Sequence, residues 1–180
     1  LVVHGSAHPA SSNSVTLASI DNLHRNTDKV GNRLAYHFVI RRNGMVEAGV
    51  PIATTNPILA NGLLLSGVAP SLRVIHGNHT GMADINRLSI GICMIGGGKA
   101  GDVNTGEANY TSIQLANLSN ILTSLSSLFP SAKFICGHRD LKPTTACPSF
   151  DVQTWLKTKT TNTDTLRTFE KIRSNLKPVR

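Results

Sequence analysis

Four short runs dense in aliphatic and β-branched residues punctuate the chain: Leu1 to Val3, Ala35 to Arg41, Leu88 to Ile95 and Lys133 to Ile135. Each is bounded by Gly, Asn, Pro or a polar stretch, the pattern of strands of one sheet. Between them lie segments of helical period. Ser14 to His24 carries Val15, Leu17, Ala18, Ile20 and Leu23, and Thr111 to Leu128 carries Ile113, Leu115, Leu118, Ile121, Leu122, Leu125 and Leu128. Thr111 and Gln114 form a Thr-x-x-Gln capping box that starts the second helix, and Pro130 ends it. Asn43-Gly44, between Phe38-Val39-Ile40 and Met45-Val46, predicts a hairpin turn whose two central residues take positive φ, so the strand near residue 36 gains an antiparallel neighbour. The expectation is an α/β fold: a single domain over residues 1–156 with a central mixed β-sheet flanked by helices.

Two stretches fit that pattern less closely. Ile52 to Pro70 is rich in Ala, Asn, Gly and Leu without a clean period and reads as a loop-rich insertion with one short helix. Residues 157–180 form a basic C-terminal extension in which Leu166, Phe169, Ile172 and Leu176 recur among Arg167, Lys171, Arg173 and Lys177. A basic amphipathic C-terminal helix follows. Its apolar stripe either docks on the domain or lies on an anionic envelope surface.

At 180 residues the chain is long enough for one core without disulfide staples. No stretch approaches the roughly 20 apolar residues of a transmembrane span. It begins with Leu1, so its start carries no reading of localisation. The formal net charge of +8 favours polyanionic partners. Aromatics are only 4% and no zinc-finger or RRM pattern occurs, which argues against specific nucleic-acid binding. Three cysteines cannot complete a disulfide framework. Cys93 and Cys136 sit in apolar runs as buried strand residues, and could bridge if their strands are neighbours.

His4 ends the first strand in Val-Val-His-Gly-Ser-Ala-His, and His138 and Cys147 flank the loop Gly-His-Arg-Asp-Leu-Lys-Pro-Thr-Thr-Ala-Cys-Pro. Neutral imidazoles and a thiolate suit zinc, and three protein ligands leave a fourth tetrahedral position for water. Taken singly, His4 reads equally well as a satisfied strand-end histidine and Cys147 as a buried thiol.

Four segments resemble, in order and over residues 4–156, the type-2 N-acetylmuramoyl-L-alanine amidases, the family of T7-like phage lysozymes and peptidoglycan recognition proteins. They are Val-Val-His-Gly-Ser-Ala, Leu-Ala-Tyr-His-Phe-Val-Ile-Arg-Arg-Asn-Gly-Met-Val-Glu-Ala-Gly, Leu-Ser-Ile-Gly-Ile-Cys-Met-Ile-Gly-Gly, and Gly-His-Arg-Asp-Leu with Cys-Pro-Ser-Phe-Asp six residues on. The resemblance implies one zinc ion held by His4, His138 and Cys147, with Tyr36 beside it to place the nucleophile or steady the oxyanion. It also implies a histidine ahead of the Ser-Ile-Gly strand. His76 and His79 both qualify, and His79, in His-Thr-Gly, fits better as a residue lining the substrate groove. His37 should alternate to the face opposite Tyr36, as a supporting residue at the substrate site.

The resemblance departs at one catalytic position. T7-like members place a lysine two residues before the ligand cysteine, and here that residue is Thr145, with Lys142 nearby but out of register. The His138 to Cys147 interval is also one residue longer. Thr145 is the expected transition-state hydrogen bonder and Lys142 the second candidate. The activity implied is zinc-dependent cleavage of the amide between N-acetylmuramic acid and L-alanine; a compact endolysin-type enzyme, monomeric by default, is expected ahead of a tail-associated enzyme or a bacterial autolysin or toxin. Such an enzyme acts in the bacterial cell wall or periplasm and, if phage-encoded, is made in the host cytoplasm. The rival is a peptidoglycan-binding module without activity, and such modules generally lack the zinc cysteine.

Overall fold

The computed structural model describes residues 1–26, 35–52, 59–60, 63–64, 77–129, 132 and 134–159. A five-stranded sheet runs through it in the order β3-β2-β6-β1-β9. Its members are β1 (Val2–Gly5), β2 (Phe38–Ile40), β3 (Val46–Ala48), β6 (Gly91–Met94) and β9 (Cys136–Gly137). β2, β6, β1 and β9 pair in parallel and β3 joins β2 antiparallel, which makes the sheet mixed as expected. Two small antiparallel ladders lie outside it: β4 (Leu59–Ala60) with β5 (Leu63–Leu64), and β7 (Gly98–Lys99) with β8 (Asp102–Gly106). The helices are α1 (Leu17–Asn26), α2 (Ala83–Leu88), α3 (Ser112–Leu128), α4 (His138–Leu141) and α5 (Val152–Lys157).

Parallel inner strands are covered on both faces, which is why their sequences are continuous apolar runs. One face packs Val3, Phe38, Ile40, Ile92 and Met94 against Leu118, Ile121, Leu122 and Leu125 of α3. The other packs Val39, Cys93 and Ile95 against Ile20 of α1, with Leu17 and Tyr36 at its margin. The predicted capping box is present at Thr111 and Gln114, and Gln114 does more than cap. Fully buried, it donates through Nε2 to the Ile40 carbonyl at 3.1 Å and the Ile95 carbonyl at 2.9 Å, while its Oε1 accepts from Thr111 N at 3.0 Å. One side chain thus ties the start of α3 to the ends of β2 and β6.

Several boundaries differ from the sequence expectation, each for a local reason. The first helix begins at Leu17 because Thr16 caps it, its Oγ1 accepting from Ser19 N at 3.2 Å. The run from Leu88 splits: Leu88 closes α2 with 86% of its surface exposed, and pairing begins only at Gly91. The last strand is Cys136–Gly137, because Cys136 N donates to Leu1 O and the β1 register starts there. The Asn-Gly turn forms, but only Gly44 takes positive φ, at 86°. Gly44 N donates to Arg41 O and Arg41 N to Met45 O, each at 2.8 Å, a three-residue loop with Gly in the left-handed position. β1 lies between the strands of Cys93 and Cys136, so the conditional bridge between them does not form, and all three cysteines are free. In the Ile52 to Pro70 insertion the β4–β5 ladder is described, and residues 53–58, 61–62 and 65–70, where the expected short helix would fall, lie outside the described residues. His76 and the predicted C-terminal helix lie outside the described residues. No helix among the described residues is long and apolar enough to cross a membrane.

The Gln114 network sets a stability expectation. Gln114→Leu leaves two buried carbonyls and the Thr111 N–H without this partner, so it should cost roughly 2–4 kcal/mol. Thr111→Ala should cost about 1 kcal/mol. Guanidinium unfolding of both variants measures the difference, and a Gln114→Leu midpoint equal to that of wild type would refute the tie.

Candidate metal centre

The site is built where β1 meets β9. Strand alternation sends Val3 into the α3 core and turns His4 to the opposite face, in register with Cys93. β9 pairs Gly137 with Val3, so His138, the next residue, opens α4 beside His4 with ring centroids 4.8 Å apart. Cys147 arrives on the loop between α4 and α5, held by Arg139 N donating to its carbonyl at 2.6 Å.

That loop lies directly over the two strand ends. A Cβ on Gly5 would take the place of the Tyr110 hydroxyl, and one on Gly137 would come within 2.8 Å of Pro148 Cδ. The glycine beside His138 therefore admits Pro148, and the one beside His4 admits the Tyr110 hydroxyl, which donates to the Pro148 carbonyl at 2.7 Å. Gly5 N–H donates to Cys147 Sγ at 3.2 Å.

One donor atom from each of His4, His138 and Cys147 falls within 4.8 Å of the other two. His4 Nδ1 is 3.8 Å from Cys147 Sγ. Tetrahedral zinc with ordinary Zn–N and Zn–S bonds needs about 3.6 Å between such a pair, so the set is close to metal-binding geometry and slightly open. The tautomers suit a cation too. His138 Nε2 lies 3.3 Å from the Thr80 carbonyl, which can only accept, so the proton is on Nε2 and Nδ1 keeps its lone pair. The residues present fit a zinc ion.

The electrostatics of the cluster are those of neutral ligands. Burial, then His79, His138 and His37, hold His4 well below the usual imidazole range. Burial, then His37, lowers His79 to about 3. Burial and Lys142 lower His138, against a rise from its bond to Thr80. Burial raises the Cys147 thiol to about 11, partly offset by the Gly5 N–H. A bound divalent cation reverses the last effect, since a coordinating thiol is deprotonated.

The remaining sequence candidates fall in three places. Tyr36 stands beside His4, ring centroids 5.2 Å apart, and burial raises its phenol well above the usual range. His79 Nδ1 is 2.9 Å from His4 Nε2, and only 5% of the residue is exposed. His37 has no exposed surface, accepts from Gly91 N at 2.9 Å and lies 5.8 Å from the His79 ring. Both histidines therefore face other imidazoles and not an open groove. The expected opposition of Tyr36 and His37 also fails, because regular pairing in β2 starts only at Phe38 and both rings reach the same cluster.

Thr145 Oγ1 accepts from Cys147 N at 3.2 Å. It helps line a cleft of about 90 Å³ whose walls include Gly5, Ala7, Gly97, Gly106 and Cys147. Lys142 is exposed and stands outside that lining. Sequence reasoning missed Thr80, Ser89 and Gly91. An added Cβ on Gly91 would approach the His79 ring to 2.5 Å, so this glycine makes room for that histidine. Only the Gly next to an apolar strand hinted at it.

The N-acetylmuramoyl-L-alanine amidase family model matches residues 1–150. The endolysin of Enterobacteria phage K11 is 35% identical over 125 residues, 69% of this chain and 65% of the relative. The endolysin of Escherichia phage T7 is 30% identical over 122 residues, 68% of this chain and 63% of the relative. The chain thus spans slightly less than two thirds of these relatives' length. Among solved structures, Manduca sexta Peptidoglycan Recognition Protein-1 has 20% identity and a TM-score of 0.49, covering 82% of this chain and 70% of that one. With a family model spanning its first 150 residues, this chain belongs to the N-acetylmuramoyl-L-alanine amidase family.

Proposed function

We propose that this chain is a zinc-dependent peptidoglycan hydrolase of endolysin type, cleaving the amide between N-acetylmuramic acid and L-alanine of the stem peptide in the bacterial cell wall. The observation that carries the reading is the convergence of His4, His138 and Cys147, the last of which lines a cleft of small residues with Thr145 and Ser149. Zinc held by those three donors supplies a Lewis acid for the scissile carbonyl and lowers the pKa of a water to about 7.

The chain's own residues have separate tasks. His4 and His138 offer lone pairs without first losing a proton, because burial keeps both imidazoles neutral. Tyr36, its ring beside His4 and its phenol kept protonated by burial, is the residue assigned to donate to charge developing on the substrate oxygen. Thr145 accepts from Cys147 N and keeps its hydroxyl proton to donate into the cleft. Lys142, outside the cleft lining, is the weaker candidate for that task. His79 and His37, buried behind the ligands, support them. The net charge of +8 favours encounter with the carboxylates and acidic polymers of the wall. A non-catalytic peptidoglycan-binding module is the rival, and the complete ligand set with Cys147 disfavours it.

Digestion of purified peptidoglycan, read by mass spectrometry, tests the proposal. Zinc-loaded wild type should release peptides with free N-terminal L-alanine and leave the glycan intact. Cys147→Ala or a chelator should abolish release, and Tyr36→Phe should slow it roughly 100-fold with zinc affinity unchanged. Wild type that sediments with the wall but frees no peptide would make the binding module the better reading.

The neutral imidazoles also set a pH dependence for the metal-free protein. His4 and His79 resist protonation when folded, whereas unfolded histidines bind protons near pH 6.5. Below that pH the unfolded state binds more protons, so stability is full above 6.5 and falls as pH drops toward the folded values. Each residue contributes a slope of roughly 1.4 kcal/mol per pH unit. Urea midpoints at pH 7.5 and 5.5 measure it, and an equal or higher midpoint at pH 5.5 would contradict the buried-imidazole picture.

A further inference from the structure

We propose that Ser89 is a positioning residue for the metal centre, fixing through His79 which nitrogen of His4 is offered to a cation. The inference rests on the zinc reading above and adds to it a residue outside the ligand set.

The argument follows protons along a chain of four groups. Ser89 Oγ lies 2.6 Å from the Ile85 carbonyl, which can only accept, so the single hydroxyl proton points there. At its other contact, His79 Nε2 at 3.2 Å, Ser89 must therefore accept, and the His79 proton sits on Nε2. A neutral imidazole carries one proton, so His79 Nδ1 is an acceptor. It lies 2.9 Å from His4 Nε2, which must donate to it. His4 is left with its lone pair on Nδ1, the nitrogen 3.8 Å from Cys147 Sγ. The backbone carbonyl of α2 thus sets the tautomer of a ligand three groups away. A ligating histidine commonly donates its other N–H to such a partner, which orients the ring and raises its basicity.

The same short segment governs the second histidine. Thr80 follows His79, and its carbonyl accepts from His138 Nε2. Thr80 is locked in turn by Asn86 of α2, whose Oδ1 accepts from Thr80 N at 3.0 Å and Thr80 Oγ1 at 2.8 Å. α2 and Ser89 brace both imidazoles from behind, while the cleft lies on the Cys147 side.

The test uses wild type, Ser89→Ala and Ser89→Thr, with zinc affinity measured by chelator competition and imidazole tautomers by long-range proton–nitrogen NMR of the metal-free protein. Wild type should show His4 protonated at Nε2, Ser89→Ala should mix the tautomers and weaken zinc binding about tenfold, and Ser89→Thr should restore both. His4 protonated at Nδ1 in wild type would overturn the proposal whatever the variants do, as would Ser89→Ala with unchanged tautomer and affinity. Ser89→Thr behaving like Ser89→Ala would also overturn it, by showing that the hydroxyl is not the operative group. Failure of wild type to bind zinc would instead strike the zinc reading itself.

Discussion

Parallel pairing of β1 between β6 and β9 is the contact on which the rest of the molecule depends. Pairing with β6 places His4 beside Cys93, and pairing with β9 places Gly137 beside Val3, so His138 emerges next to His4. A one-residue slip of β1 would turn His4 into the α3 core and Val3 toward the site. The register is held by what each face buries: Val3 in the large core and His4 among imidazoles, both with no exposed surface.

Burying several imidazoles in their uncharged form keeps the site neutral and costs desolvation that hydrogen bonds must offset. The offset comes from local donors and acceptors: Thr80 O for His138, His79 for His4, Gly91 N for His37 and Gly5 N for the Cys147 thiol. A cation in such surroundings meets lone pairs already aimed, and the main electrostatic change it brings is to the thiol. The glycines at 5 and 137 matter for a steric reason, since Gly5 leaves room for the Tyr110 hydroxyl and Gly137 lets Pro148 close on a strand end.

How much of this was legible in the sequence varied with distance along the chain. The sheet, α3 and its capping box could be read because apolar period and cap chemistry are local signals. Helix and strand ends were harder: the first helix starts after Thr16 and not at Ser14, and Leu88 is apolar yet solvent-facing. The three metal-competent side chains stood out through motif resemblance. His79 was found but misplaced, because nothing in His-Thr-Gly says that Gly91 opens a slot for its ring.

The sequence by itself determined the α/β class, the family and the identity of the metal-competent side chains, since these follow from residue type and short-range order. Tertiary structure alone decided that Cys93 and Cys136 stay apart, that His79 packs against His4 with His37 beside it, and which carbonyl or ring each imidazole meets. The physical reason is that these outcomes hang on contacts between residues far apart in the chain, such as Leu1 with Cys136, 135 positions away. Proton placement adds to this, because a carbonyl accepts and never donates, and only the fold says which carbonyl lies within reach.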